Sequence, residues 1–284
     1  MQTIDTTHRY TIGDPGRAAD EVGAGAAGLQ PGRSDIVADA ADALGLTIRA
    51  ASVRGVLHRH YGTPRQDSYS MSWQPDSETL LVVACDGVGS LEMSHEAADH
   101  VADRLADVVH RDGSGDLDWT SAFTALSDEL TELAATRGQM ATTVVAARVV
   151  AAGGRFRAEI AWVGDSAAYL LRPEGWEVVG GTVKTVDDDG GPLVSTTRAL
   201  PGREVEVSTN IVEFDWDAAL FLMTDGVADP LGAGAGEVGE TLAAWWATPP
   251  DPFTFAAQVG FARRSFDDDR TVVGVWPASQ KAAE

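Results

Sequence analysis

Two rhythms of apolar residues run along this chain. Leu80–Ala84 is an unbroken apolar run closed by Cys85, Asp86 and Gly87, and Ala219–Met223 is another, closed by Thr224, Asp225 and Gly226. Short continuous runs of this kind predict strands buried on both faces. Asp67–Trp73 alternates instead and predicts a half-buried strand. Leu46–Arg54, Ala141–Val150, Arg157–Val163, Ala167–Arg172, Val205–Val212 and Thr271–Trp276 complete the strands, with Gly153-Gly154 as a hairpin turn. Helical spacing places Ala97, Val101, Leu105 and Val108 on one face of Met93–His110. It does the same for Trp119, Phe123, Leu126, Leu130 and Leu133 in Asp118–Thr136, where Asp118 is the expected N-cap. Glu237–Ala247 and Pro252–Ser265 predict two more helices, the second opened by Asp251-Pro252. Two strand-rich blocks, each followed by a helix pair, predict an α+β fold with two sheets packed together and helices outside.

Between these elements the pattern is weaker. Asp35–Leu44 reads as a short helix, His58–Arg65 as a loop, and Pro173–Gly202 as irregular, with Asp187–Asp189 a solvated loop. Residues 1 to about 33 lack any period and read as a mobile tail. The expected organisation is a tail over residues 1–45, one domain over 46–278, and a short tail over 279–284.

The chain has 284 residues, enough for a sizeable core, and a formal net charge of −22. That charge argues against nucleic acid or an anionic membrane as partner, because no basic patch is available for phosphates. Cys85 is the only cysteine, so no intrachain disulfide can form, and it reads as a small core residue in a reducing compartment. No signal peptide or membrane-length apolar run is visible, and a cytoplasmic location is expected.

The chemistry suggested by the pattern lies at the strand ends. Asp86 and Asp225 each follow an apolar strand, Asp165 follows another, Asp269 precedes the last, and Asp229 comes four residues after Asp225. For any one of them an Asp-Gly turn or helix cap is the simpler account. If they converge, two carboxylates about 5 Å apart repel by roughly 3 kcal/mol at an effective dielectric of 20. Bound cations are then the natural compensation, and an all-oxygen set favours Mg²⁺ or Mn²⁺ over zinc or copper. Two such ions sharing a carboxylate can acidify a water for in-line attack on a phosphate.

Six stretches in order are similar to the metal-dependent protein phosphatase family, the type 2C serine/threonine phosphatases. They are Gln66–Met71 (QDSYSM), Ala84–Ser90 (ACDGVGS), Ala141–Val149 (ATTVVAARV), Trp162–Leu171 (WVGDSAAYLL), Phe221–Asp229 (FLMTDGVAD) and Asp268–Val275 (DDRTVVGV), within residues 48 to 277. The resemblance implies a four-layer α-β-β-α sandwich, two antiparallel sheets face to face with helix pairs outside. It implies that Asp86 bridges two metals, that the Gly87 carbonyl binds one of them, and that Asp225 and Asp269 complete the other. Asp165 and Asp229 match a weaker third site, and Asp67 sits behind the metals. The implied reaction is hydrolysis of phosphoserine or phosphothreonine with two Mg²⁺ or Mn²⁺ ions. The implied partners are a phosphorylated protein and a cognate kinase or its targets.

Several positions depart from the pattern. Gln66 stands where Glu is common, Val88 where some members keep a histidine, Ser90 where a second glycine is usual, and Arg270 where asparagine follows the last metal aspartate. The phosphate-binding arginine has no clear counterpart in the longer loop of His58, Arg59, His60 and Arg65. Arg65 and His60 are candidates for substrate binding, and His58 for proton donation or phosphate contact, against the simpler reading of solvated loop residues. These departures keep open a second function, a weak or inactive relative that binds phosphoproteins or a regulator. A phosphatase of the aspartyl-phosphate type is disfavoured, because Ala84 stands where it needs a second aspartate.

Overall fold

The structure is a computed structural model and describes residues 10–16, 33–112, 117–182 and 198–278. Most of the expected tail, the run Asp187–Asp189 and residues 279–284 lie outside the described residues. The strands are β1 (Ile36–Ala43), β2 (Leu46–Val53), β3 (Ser68–Gln74), β4 (Thr79–Gly87), β5 (Thr142–Ala152), β6 (Arg155–Val163), β7 (Ala167–Arg172), β8 (Gly175–Gly180), β9 (Ser208–Phe214), β10 (Ala219–Met223) and β11 (Arg270–Pro277). The helices are α1 (Val56–Tyr61), α2 (Ser94–Asp112), α3 (Trp119–Arg137), α4 (Asp225–Leu231), α5 (Gly236–Trp246) and α6 (Pro252–Val259).

All pairings are antiparallel and build a six-stranded sheet, β1-β2-β11-β10-β7-β8, and a five-stranded sheet, β3-β4-β5-β6-β9. Strand alternation explains the layering, since successive side chains leave a sheet on opposite faces. In β4, Leu80, Val82 and Ala84 enter the core between the sheets, while Leu81, Val83 and Cys85 pack under α2 and α3. In β10, Leu220 and Leu222 point inward, while Ala219, Phe221 and Met223 meet the helices on the other side. The result is the expected four-layer α-β-β-α sandwich. Three helices, α4 to α6, cover the six-stranded sheet where a pair was expected.

Other expectations need correction. Asp35–Leu44 forms strand β1, not a helix, because its residues pair along the whole length of β2. The packed domain therefore begins before residue 46, and the segment Tyr10–Asp14 also docks on it. Ile12 is buried and donates its amide to the Ala262 carbonyl, the Ala262 amide donates to the Tyr10 carbonyl, and Tyr10 sets its ring edge against Trp245. The loop after β2 contains α1, ended by Gly62 in the left-handed region. Gly175–Gly180 is strand β8, and α4 was not foreseen. No helix among the described residues is long and apolar enough to cross a membrane.

Candidate metal centre and active site

Antiparallel pairing brings alternate strand ends to one rim of the sandwich. Asp86 is the penultimate residue of β4, and Asp67 immediately precedes β3, whose Ser68 pairs with Cys85. In the other sheet, Asp225 opens α4 directly after β10, beside the start of β7 at Ala167 and of β11 near Val272. Asp165 sits in the short link from β6 to β7, which crosses from one sheet to the other. The carboxylates of Asp86, Asp165 and Asp225 offer oxygens that all lie within 4.8 Å of one another. Three elements from two sheets thus converge.

The electrostatics of this rim suit a cation. Burial pushes the Asp86 carboxyl well above its usual range, and the charges of Asp225, Asp67, Asp268 and Asp165 push it further. Ionising this group at neutral pH calls for positive charge in the cluster. An all-carboxylate donor set matches hard divalent ions, so the residues present fit the metal the sequence implies. Nearby backbone is fixed by close packing: a Cβ at Gly87 would stand 2.8 Å from the Gln66 carbonyl, and one at Gly226 would stand 1.9 Å from that of Asp269. The Thr142 hydroxyl donates to the Asp86 carbonyl at 2.9 Å.

The start of β11 departs from the expected arrangement. Asp269 is buried and turned inward, accepting from the Gly55 amide at 2.6 Å and the Gln66 amide at 2.5 Å. Asp268 is the more exposed of the two, and its charge, not that of Asp269, bears on Asp86. Neither Asp268 nor Asp269 belongs to the cluster of Asp86, Asp165 and Asp225; both group with His58. The aspartate expected to ligate, Asp269, is thus held by two backbone amides and by His58. Arg270 supports the turn, with Nε on the Gly226 carbonyl at 3.1 Å and its guanidinium over the Phe261 ring.

Asp67 and His58 both reach the rim. Asp67 is buried and accepts from Thr224 Oγ1 at 2.7 Å; burial first, then the Asp269 charge, holds its carboxyl well above its usual range. His58 is buried on the inner side of α1, with Nδ1 2.9 Å from Asp269 Oδ1 and 3.9 Å from Asp268 Oδ1. Burial is the largest influence on His58 and lowers its pKa, but Asp269, Asp268 and Asp67 together outweigh it and raise the net value.

Two predicted residues are not brought to the rim. His60 is exposed on the outer side of α1, its ring 5.0 Å from that of Tyr61. Arg65 is buried, and its guanidinium is committed to Ser52 Oγ at 2.6 Å and to the carbonyls of Asp67 and Ser34. It braces the backbone under Asp67 and faces no open space. Asp229 is half-buried one turn beyond Asp225 in α4 and lies outside the converging trio. Sequence reasoning missed Thr224 and Asp268. The signal for Thr224 was its place as N-cap between an apolar strand and Asp225; for Asp268 it was the choice among three consecutive aspartates.

The profile of the protein phosphatase 2C family matches residues 54–260, and the chain belongs to that family. Its class is accordingly that of the protein serine/threonine phosphatases. Solved structures share the fold. A bacterial serine phosphatase superposes with a TM-score of 0.61 at 17% identity, covering 81% of this chain and 97% of the other. A serine/threonine phosphatase of S. agalactiae gives 0.60 at 15%, covering 85% and 99%. The PstP catalytic domain in complex with two manganese ions gives 0.54 at 23%, covering 81% and 97%. No curated protein matches the chain in sequence.

Proposed function

We propose that this protein hydrolyses phosphoserine and phosphothreonine in proteins, using Mg²⁺ or Mn²⁺ held by Asp86, Asp165, Asp225 and Asp268 with the Gly87 carbonyl. The observation that carries the reading is the convergence of Asp86, Asp165 and Asp225 from two sheets. On this reading Asp229, one turn along α4, serves a weaker third ion. When bound, the ions supply an acidified water for in-line attack and neutralise the phosphoryl oxygens. Asp67, fixed by Thr224, orients the attacking water from behind the ion ligands. Two roles are open to His58, donation to the leaving oxygen and ligation of an ion; its contacts favour the second, argued below. With His60 and Arg65 directed elsewhere, substrate contacts fall to the rim itself.

The partners on this reading are a phosphorylated protein and the kinase that opposes this enzyme, in the cytoplasm. The test is release of phosphate from a phosphothreonine peptide with added Mn²⁺ or Mg²⁺. The expected result is turnover that chelation abolishes. Ion binding without any turnover would favour the alternative, a phosphoprotein-binding relative, for which Gln66 in place of a carboxylate is the supporting feature.

A further inference from the structure

Beside the carboxylate trio lies a second group of donors with a different chemistry. His58 Nδ1 and one carboxylate oxygen each from Asp268 and Asp269 lie within 4.8 Å of one another. His58 is only 7% exposed, and its Nδ1 is 2.9 Å from Asp269 Oδ1, near enough for that carboxylate to favour the protonated ring but outside the angles of a well-aligned hydrogen bond. The ring nitrogen and the oxygen are therefore close but not aligned as donor and acceptor. Two ligands about 2.1 Å from a common ion at a right angle stand about 3 Å apart, and they aim at the ion, not at each other.

An orphaned side-chain oxygen lies at the same corner. Gln66 is 3% exposed, its amide binds Asp269, and its Oε1 has no partner. A Cβ built on Gly89 would stand 3.6 Å from that oxygen and 3.8 Å from His58 Nε2, so both edges meet beneath the Gly89 backbone.

We propose that His58, Asp268 and Asp269 form a mixed nitrogen and oxygen site for a divalent cation, adjoining the carboxylate centre. The imidazole makes this site select Mn²⁺, Fe²⁺ or Zn²⁺ over Mg²⁺, since nitrogen donors favour the transition ions. The inference rests on the reading of this rim as a metal centre.

The experiment is pulsed electron paramagnetic resonance on the full chain loaded with Mn²⁺. The expected spectrum shows ¹⁴N coupling from a directly bound imidazole, lost in His58→Gln and kept in His60→Gln and His95→Gln. The wild-type spectrum alone already tests the ligand type, so a poorly folded variant does not hide the answer. Bound Mn²⁺ without ¹⁴N coupling overturns this site while leaving the carboxylate centre standing. Coupling that survives His58→Gln overturns the assignment to His58. Failure of the chain to bind Mn²⁺ at all overturns both this site and the proposed function, whereas ¹⁴N coupling in a protein without phosphatase activity supports the site and overturns only the function.

Discussion

Thr224 donates its hydroxyl to Asp67 across the two sheets, at 2.7 Å, and accepts the Thr271 amide at 3.0 Å. One side chain thus ties the residue before β3 to the starts of α4 and β11. A buried carboxylate that loses its donor bears the desolvation cost, about 1–3 kcal/mol. Thr224→Val keeps the volume and removes the hydroxyl. The expected outcome is a loss of that size in urea unfolding together with a fall in phosphatase turnover. Unchanged stability would mean that water replaces the hydroxyl.

The start of β11 gives two neighbouring aspartates different surroundings, Asp269 buried on backbone amides and Asp268 more exposed. On the proposed function, Asp268→Asn should weaken Mn²⁺ binding at the carboxylate centre and lower turnover at limiting metal by tenfold or more, on the order of what ligand-shell losses cost. Asp269→Asn should leave the ions on Asp86 and Asp225 in place. Metal titration by calorimetry on both variants checks this. A larger loss of carboxylate-centre ions in Asp269→Asn would make Asp269 the ligand of that centre.

The pH dependence of stability follows from groups of the rim whose folded pKa values are raised, among them Asp268, lifted by burial and the Asp269 charge. Asp86 and Asp67 are raised by burial first and then by neighbouring carboxylates. His58 is raised because Asp269, Asp268 and Asp67 outweigh its burial. In each case the folded, metal-free protein holds its proton more tightly than the unfolded chain. Stability therefore falls as pH rises, from the ordinary carboxyl pKa through the raised folded values, and for His58 through its own raised value. In chelator the melting temperature should drop as pH rises above the ordinary carboxyl range. Saturating Mn²⁺ should remove most of that slope, because the ion replaces the protons. A melting temperature that rises with pH in chelator would contradict the burial of these carboxyls.

Much of this was legible in the chain because the strands carry strong local signals. Leu80–Ala84 and Ala219–Met223 are apolar at every position, and antiparallel order alone puts Asp86, Asp67, Asp225 and Asp165 at one rim. The positions that were not legible depend on long-range partners. Ile36–Ala43 contains six exposed or half-exposed aspartate and alanine positions of low strand propensity, and becomes a strand only because β2 offers it an edge. Among Asp267, Asp268 and Asp269 no local property marks the one that faces the ions; the amides of Gly55 and Gln66, far away in sequence, select Asp269 for the interior. Arg65 looked like an anion binder because nothing in the sequence places Ser52 and the Asp67 carbonyl against its guanidinium.

The two histidines of α1 give the last prediction. They are two residues apart, so a helix sends them to different sides, His58 inward and His60 outward. His60→Ala should change neither ion binding nor turnover by more than about twofold, the size expected of a solvent-facing group. For His58 the choice of substrate separates its two roles. An aryl phosphate has a good leaving group and needs little protonation, whereas a phosphothreonine peptide must protonate an alkoxide, a step that a positioned acid accelerates by ~10²–10⁴-fold. As an ion ligand, His58 serves both substrates alike. His58→Ala should then slow them by similar factors, and raising the Mn²⁺ concentration should recover part of the loss. A variant that slowed the peptide by two orders of magnitude and spared the aryl phosphate, with no response to added metal, would make His58 the proton donor and remove it from the ion site.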